Sequence, residues 1–373
     1  MKNFKDLMIR SELVKRLDEM CIITPTEIQQ KVIPLLIDKP TDLVGQAQTG
    51  TGKTVAFGLP LLQKINSKKK YIQGLVLCPT RELGQQVAKQ LFRFSKYSDK
   101  IFIEAVYGGE RIEKQISNLT RTTHILVATP GRMLDLLKRR AVNLKHVRTL
   151  ILDEADEMLS MGFKKELDDI FNFLPSIDSK WLFSATISED INRIIIKNMS
   201  PNAHKIISAR ANIVNKKIKH NFVLCDDRDK FNIVLQFLNS VKGQRGIIFC
   251  RTRNDTKKLA NSLVAKNIYI GALHGDLLQK ERNKVMRAFK NKILHAIVAT
   301  DIAARGIDIA NLTYVVHYQL PDQDEYYIHR SGRTARAGKE GVSLVLANRN
   351  EMRKIRVYEE KLKISFSKIK PAK

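Results

Sequence analysis

Four cysteines in 373 residues, Cys21, Cys78, Cys225 and Cys250, stand far apart and form no Cys-x-x-Cys pair. That spacing argues against a disulfide framework or a zinc site and for reduced, packed thiols. Tryptophan occurs once, Trp181, at the start of an apolar run, where a core role is simplest. No apolar run approaches the roughly 20 residues of a membrane span. The first residues carry Asp6 and Glu12 in a polar alternation and lack the apolar core of a signal segment. The expectation is a cytoplasmic protein with no membrane partner. Low-complexity segments and short internal repeats are absent as well. Acidic residues are scarce: 38 Asp and Glu face 65 Lys and Arg, a net charge of +27. The excess is +10 over residues 1–210 and +17 over residues 211–373. Such a surplus favours a polyanionic partner. An anionic membrane surface or plain solubility would give the same count, but no basic helix with a strong apolar face stands out.

The segment Ala47-Gln48-Thr49-Gly50-Thr51-Gly52-Lys53-Thr54 follows a short apolar run and leads into a helix-like pattern. A glycine-rich turn between strand and helix exposes a row of backbone N–H groups, and the helix dipole adds positive potential, which together cradle phosphate. Lys53 can reach β- and γ-phosphates and the Thr54 hydroxyl can ligate Mg2+. Ala47 stands where such loops usually have glycine, so an ordinary turn with a solvated lysine remains the alternative at this point. About a hundred residues on, Thr149 to Leu152 reads as a buried strand ending in Asp153-Glu154-Ala155-Asp156. Ligands of open parallel sheets sit beyond the carboxyl ends of strands. Asp153 is thereby placed to hold Mg2+ and Glu154 to polarise an attacking water; an acidic helix start is the plainer alternative.

Other short apolar runs end in comparable clusters: Gly74 to Cys78, His124 to Ala128 and Trp181 to Phe183 in the first half, and Ile247 to Cys250, Tyr269 to Leu273, Ala296 to Ala299 and Tyr314 to Val316 in the second. Strand, polar cluster and helix in repetition indicate an α/β protein with parallel sheets. The second half follows the same plan without a Gly-Lys-Thr loop. The expected layout is a nucleotide-binding domain over 1–208, a hinge over 209–219, a second α/β domain over 220–348, and a basic helix and mobile tail over 349–373.

Asp-Glu-Ala-Asp behind a strand, with Gly50-Thr51-Gly52-Lys53-Thr54 upstream, resembles the DEAD-box ATP-dependent RNA helicases, and about ten motifs between Phe4 and Gly338 follow that family's order. The resemblance implies two tandem RecA-like domains, each a mostly parallel sheet flanked by helices, with ATP and Mg2+ as cofactors; a monomer is the expectation. It implies that Lys53, Asp153 and Glu154 act with arginine fingers Arg333 and Arg336, and that Thr54 and Asp153 hold the metal. Nucleotide contacts fall on Phe4, Thr26, Gln29, Gln48, Thr49, Gly50, Thr51, Gly52, Lys53, Thr54 and Asp308. Gln29 can offer adenine a paired donor and acceptor; a helix start for Gln29 and a core place for Phe4 read as readily.

The same resemblance assigns RNA-backbone contacts to Arg81, Gly109, Thr129 and Arg132, and to Arg251, Gly275, Gln279, Arg282 and Thr300. Contacts of that kind carry little base information. Ser184, Thr186 and Asp156 are implied to couple hydrolysis to strand separation. Four positions depart from the family: Cys21 and Ala335 replace glycine, Gly84 replaces alanine and Ser331 replaces isoleucine. The function implied is RNA-stimulated ATP hydrolysis coupled to domain closure and local strand separation. An ATP-gated RNA clamp or remodeller would use the same residues, and a DNA-dependent motor is a third reading.

Overall fold

The computed structural model describes residues 3–48, 50–208, 217–304, 312–335 and 340–370. Thr49, Asp308 and Arg336, all assigned roles above, lie outside the described residues. The chain forms two compact units, Met1–Ala211 and Asn212–Lys373.

In the first unit the strands are β1 (Leu43–Gln46), β2 (Gly74–Leu77), β3 (Ile103–Val106), β4 (Ile125–Ala128), β5 (Thr149–Asp153), β6 (Ser179–Ser184) and β7 (His204–Ile207). They pair in the order β3-β4-β2-β5-β6-β1-β7, every ladder parallel. The second unit contains β8 (Ile218–Leu224), β9 (Gly246–Phe249), β10 (Ile270–Leu273), β11 (Ala296–Ala299), β12 (Tyr314–His317), β13 (Gly341–Ala347) and β14 (Phe366–Lys368). Their order is β10-β11-β9-β12-β13-β8-β14, again parallel throughout. Parallel strands need crossovers, and the helices that provide them cover both faces. Runs such as Leu75-Val76-Leu77 and Ile247-Ile248-Phe249 are accordingly buried without alternation. These are tandem RecA-like domains, as expected, with wholly parallel rather than mostly parallel described sheets.

Polar clusters at the strand ends start the next helices. Thr80 Oγ1 accepts from Leu83 N–H, Ser188 Oγ from Ile191 N–H and Thr252 Oγ1 from Asp255 N–H. Such caps satisfy the orphan N–H groups of the first turn. They also fix functional side chains at the carboxyl edge of each sheet. No helix among the described residues is long and apolar enough to cross a membrane.

Three expectations need correction. β8 begins at Ile218, so Ile218 and Lys219 belong to a strand and not to the hinge. The tail is ordered further than expected. After the helix Met352–Leu362, which buries Ile355 and Tyr358, Phe366–Lys368 pairs with β8 and Ile369 N–H reaches Phe222 O at 2.9 Å. The charge of Lys368 concealed the strand, because an edge strand that only partly buries one residue, Phe366, needs little apolar pattern. Lastly, Cys21 is exposed, not packed.

The glycine replacements leave a mark on the backbone. Cys21 sits at φ 57° and Ala335 at φ 55°, the left-handed region that favours glycine. Gly84 lies inside the helix Arg81–Phe94, where a Cβ would meet only Val127 Cγ1 at 3.8 Å. Gly84→Ala should therefore stabilise the first unit by about 0.5–1 kcal/mol, through the loss of glycine's backbone freedom. Cys21→Gly should stabilise by about 1 kcal/mol, by relief of the left-handed strain. Urea unfolding midpoints decide both, and a lower midpoint for either variant would contradict the geometry.

Candidate nucleotide site and nucleic-acid interface

β1 runs into the loop that precedes the helix Lys53–Lys64. Gly50 and Gly52 take φ 86° and 92°, and a Cβ on Gly52 would fall 2.2 Å from Gln29 Nε2. The loop is tied down from outside and within. Thr26 Oγ1 donates to Thr51 O at 2.8 Å, Gln29 Nε2 donates to Gly52 O at 3.1 Å, and Thr51 Oγ1 donates to Gln48 O at 2.7 Å. Gln29 Oε1 accepts Thr26 N–H at 2.9 Å, completing a capping box. Both ends of the Gln29 amide are thus engaged in bracing the loop. Phe4 is 2% exposed and belongs to the apolar core with Leu7, Leu13 and Ile28. Gln29 is 2% exposed, and its amide has one further N–H and one further lone pair beyond these bonds.

Lys53 Nζ donates to Glu154 Oε2 at 2.8 Å and to Ala47 O at 3.0 Å. The pair bridges the ends of β1 and β5, and both side chains are buried. Asp153, Asp156 and Glu157 are buried too. Burial opposes the Lys53 ammonium, but the Glu154, Asp153 and Asp156 carboxylates outweigh it and hold its pKa above the ordinary lysine value. Burial and then the Glu154 charge push Asp153 up to about 7; burial raises Glu154 as well. The cluster is short of positive charge. Asp153 Oδ1 is buried without a hydrogen-bond partner, an expensive arrangement that a cation would relieve. No group of three or more His, Cys, Asp or Glu among the described residues could hold a metal. Mg2+ typically needs only one or two carboxylates beside phosphates and water. Thr54 and Asp153 fit that chemistry.

Asp156 faces the end of β6. Its Oδ2 accepts from Ala185 N–H at 3.2 Å, Thr186 N–H at 3.0 Å and Thr186 Oγ1 at 3.1 Å. Ser184 Oγ accepts from Asp156 N–H at 3.2 Å and donates to Thr186 O at 2.7 Å. The three residues assigned to coupling form one connected network. Glu154 takes φ 53° as it opens the next helix, a strained conformation of the kind that gathers at active sites.

The arginines of the first unit cluster at the ends of β2, β3 and β4. Arg81 Nη1 donates to Gly109 O at 3.3 Å, Arg132 Nη2 donates to Glu110 O at 3.0 Å, and Thr129 N–H donates to Val106 O at 3.1 Å. In the second unit, Arg251, Gly275 and Thr300 follow β9, β10 and β11. Arg282 Nη2 donates to Ala303 O at 2.7 Å, Thr300 Oγ1 accepts from Ala303 N–H at 3.4 Å, and Gln279 Nε2 donates to Asn283 Oδ1 at 3.0 Å. Arg251 differs, since Asp322 and Glu351 lie 3.5 and 3.7 Å from its guanidinium.

Arg333 is buried just after the helix Asp324–Ser331. Sequence reasoning gave no role to its neighbour Arg330, which is 1% exposed. Arg330 donates two hydrogen bonds to Asp301, at 2.6 and 2.7 Å, and a third to Gln319 O at 2.8 Å. Only the spacing of Arg330 in the arginine-rich segment could have singled it out.

The family model of the DEAD/DEAH box helicases matches residues 26–194, and that of the helicase conserved C-terminal domain matches residues 229–338. The chain belongs to the DEAD/DEAH box helicase family. It is 41% identical over 364 residues to the ATP-dependent RNA helicase CshA of Listeria monocytogenes, covering 97% of this chain and 69% of that protein. The Geobacillus kaustophilus DEAD-box ATP-dependent RNA helicase CshA is 38% identical, with 100% and 79% covered. Among solved structures, S. cerevisiae Dbp5 bound to RNA and ADP BeF3 superposes with a TM-score of 0.91 at 29% identity, covering 99% of this chain and 96% of that one.

In this DEAD-box protein the Lys53–Glu154 pair sets a stability test. Lys53→Ala would strand a buried carboxylate and should cost the nucleotide-free first unit about 3 kcal/mol. Lys53→Ala combined with Glu154→Gln should recover most of that loss. Urea unfolding without nucleotide checks it: equal stability of the single variant and the parent would mean that the pair is not closed.

Proposed function

We propose that this chain is an ATP-dependent RNA helicase that hydrolyses ATP to ADP and phosphate under stimulation by RNA and separates RNA strands locally. The observation that carries this reading is the charge-deficient cluster at the ends of β1 and β5. There, one buried ammonium serves several buried carboxylates, and Asp153 keeps an unpartnered oxygen. ATP binding lets Lys53 exchange its Glu154 partner for phosphate oxygens, which frees Glu154 to orient the attacking water and take its proton. Thr54 and Asp153 would hold Mg2+, which would neutralise phosphate charge. The backbone N–H groups from Gln48 to Lys53 bind the phosphates, and Arg333 stabilises charge in the transition state. Arg336 shares that role by sequence position.

RNA is bound through phosphate and sugar by the arginine clusters at the strand ends, so sequence preference is low and salt dependence strong. Action as a cytoplasmic monomer belongs to the same reading. Support comes from the family membership, the +27 charge and the connected Asp156–Ser184–Thr186 network.

RNA-stimulated ATPase and strand-displacement assays test the reading. Glu154→Gln should keep ATP and RNA binding and lose turnover, whereas Lys53→Ala should lose ATP binding. Arg333→Ala should lower RNA-stimulated kcat about a thousandfold, as expected for an arginine finger. Stimulation by single-stranded DNA equal to that by RNA would refute the RNA assignment. Full turnover in Glu154→Gln would refute the site.

A further inference from the structure

Tyr107 and Gln115 lie beneath the RNA-facing arginines of the first unit, and no motif identified in the sequence includes them. Gln115 is 2% exposed, and its amide has both ends in use. Nε2 donates to Tyr107 O at 3.1 Å and to Glu110 Oε2 at 3.2 Å, while Oε1 accepts from Arg132 Nη1 at 2.7 Å. Arg132 Nη2 meanwhile holds Glu110 O. On the other side of the same turn, the Arg81 guanidinium lies over the Tyr107 ring, 4.4 Å from its centre, with Nη1 on Gly109 O. The Tyr107 hydroxyl accepts from Gln85 Nε2 at 2.6 Å, which fixes the ring from the helix Arg81–Phe94. Gly109 turns the chain at φ 80°.

We infer that Tyr107 and Gln115 are positioning residues for RNA: together they hold Arg81 and Arg132 as a rigid pair on either side of the Gly108-Gly109 turn, set to take the backbone phosphates of one strand. The inference rests on the RNA reading above. Its physical basis is preorganisation. A free arginine must lose the rotamer entropy of a long side chain when it meets a phosphate, whereas Arg132, fixed by an amide and a carbonyl, and Arg81, fixed by an aromatic face and a carbonyl, have lost it on folding. Arg132 Nε lies 4.0 Å from Asp135 Oδ2 and Arg81 Nε is buried, so what the frame leaves for phosphate is the Arg81 Nη2 group and the second N–H of each Nη that already donates. The amide is specific as well. One side chain must donate to a carbonyl and accept from a guanidinium at once, which excludes lysine, arginine and every apolar residue.

The experiment measures the RNA and ATP dependence of hydrolysis in the full chain, for Gln115→Ala, Gln85→Ala, Arg132→Ala, Arg81→Ala and the pairs 115/132 and 85/81. Gln115→Ala should raise the KM for RNA about tenfold, as for a lost hydrogen bond to a charged group, and leave the KM for ATP unchanged. In the 115/132 pair the glutamine change should add almost nothing to Arg132→Ala, because the amide acts through that arginine. Gln85 is exposed and its removal should leave the fold intact, so Gln85→Ala secures the test if Gln115→Ala fails to fold. It should raise the KM for RNA about threefold, again on the hydrogen-bond scale, and its effect should vanish in the background of Arg81→Ala. Additive effects in the pairs, or equal changes in the KM for RNA and for ATP, would overturn the frame. If Arg81→Ala and Arg132→Ala themselves leave the KM for RNA unaltered, the RNA face is misassigned and the frame falls with it, a pattern distinct from additivity.

Discussion

A single buried lysine holds the first unit's active edge together. Lys53 meets Glu154 across the sheet at 2.8 Å, with Asp153 and Asp156 close enough to raise its pKa. An ammonium in that position has two competing anionic claims: the carboxylates of its own chain and the phosphates of a ligand. In water the exchange would be nearly indifferent. In a desolvated site each charge has few alternatives, so the exchange becomes a switch. The loop geometry follows from the same need. Gly50 and Gly52 adopt positive φ, which turns the backbone so that Lys53 points back to Ala47 O and Glu154 instead of to solvent.

The nucleotide loop is braced by a glutamine that sequence reasoning assigned to adenine. Gln29 ties Thr26 to Gly52 O, and Gly52 can carry no side chain because that amide fills the space. The Gln29 amide keeps a second N–H on Nε2 and a second lone pair on Oε1, so a base could use them while the loop carbonyl stays held. Base recognition and phosphate binding would then be linked through one side chain that braces the loop. The burial of Phe4 in the core places a cost on any contact between its ring and a base.

Much of the fold was legible because parallel strands are continuous apolar runs that end in polar clusters, as in Thr149–Asp153 and Ala296–Ala299. β13 was missed despite a nearly continuous apolar run, Gly341–Ala347; β3, β7, β8 and β14 were missed with weaker patterns. β7 is exposed at all but Ile206, β8 alternates in part and carries Lys219, and β14 buries little beyond part of Phe366. The assigned residues were readable as chemistry, lysine near carboxylates and arginines near glycines, but their partners were not. That Asp156 accepts three hydrogen bonds from residues 185 and 186, or that Arg330 meets Asp301, depends on strands that pair far from neighbours in sequence. Gln115 and Tyr107 gave no signal, because a glutamine in a helix and a tyrosine after a strand are ordinary residues until the turn between them is seen.

The strand order explains how one sheet can serve two ligands. The nucleotide loop, the Asp153 cluster and the Ser184 cluster end β1, β5 and β6, while Arg81, Gly109 and Thr129 follow β2, β3 and β4. The two sets lie along one edge and meet at the β2–β5 ladder, where Gly74 to Leu77 pairs with Thr149 to Leu152. Two anionic ligands would repel each other if their sites merged, so separation along the edge lets both bind. Linkage then has to run through the scaffold. β5 carries Asp153 at its end and leads directly to Asp156, whose hydrogen bonds fix residues 184–186 beside β1. The turn that separates Asp153 from Asp156 holds Glu154, the partner of Lys53. Glu154 already stands at a strained φ of 53° there, and strain of that kind makes a turn responsive to the loss of one ion pair.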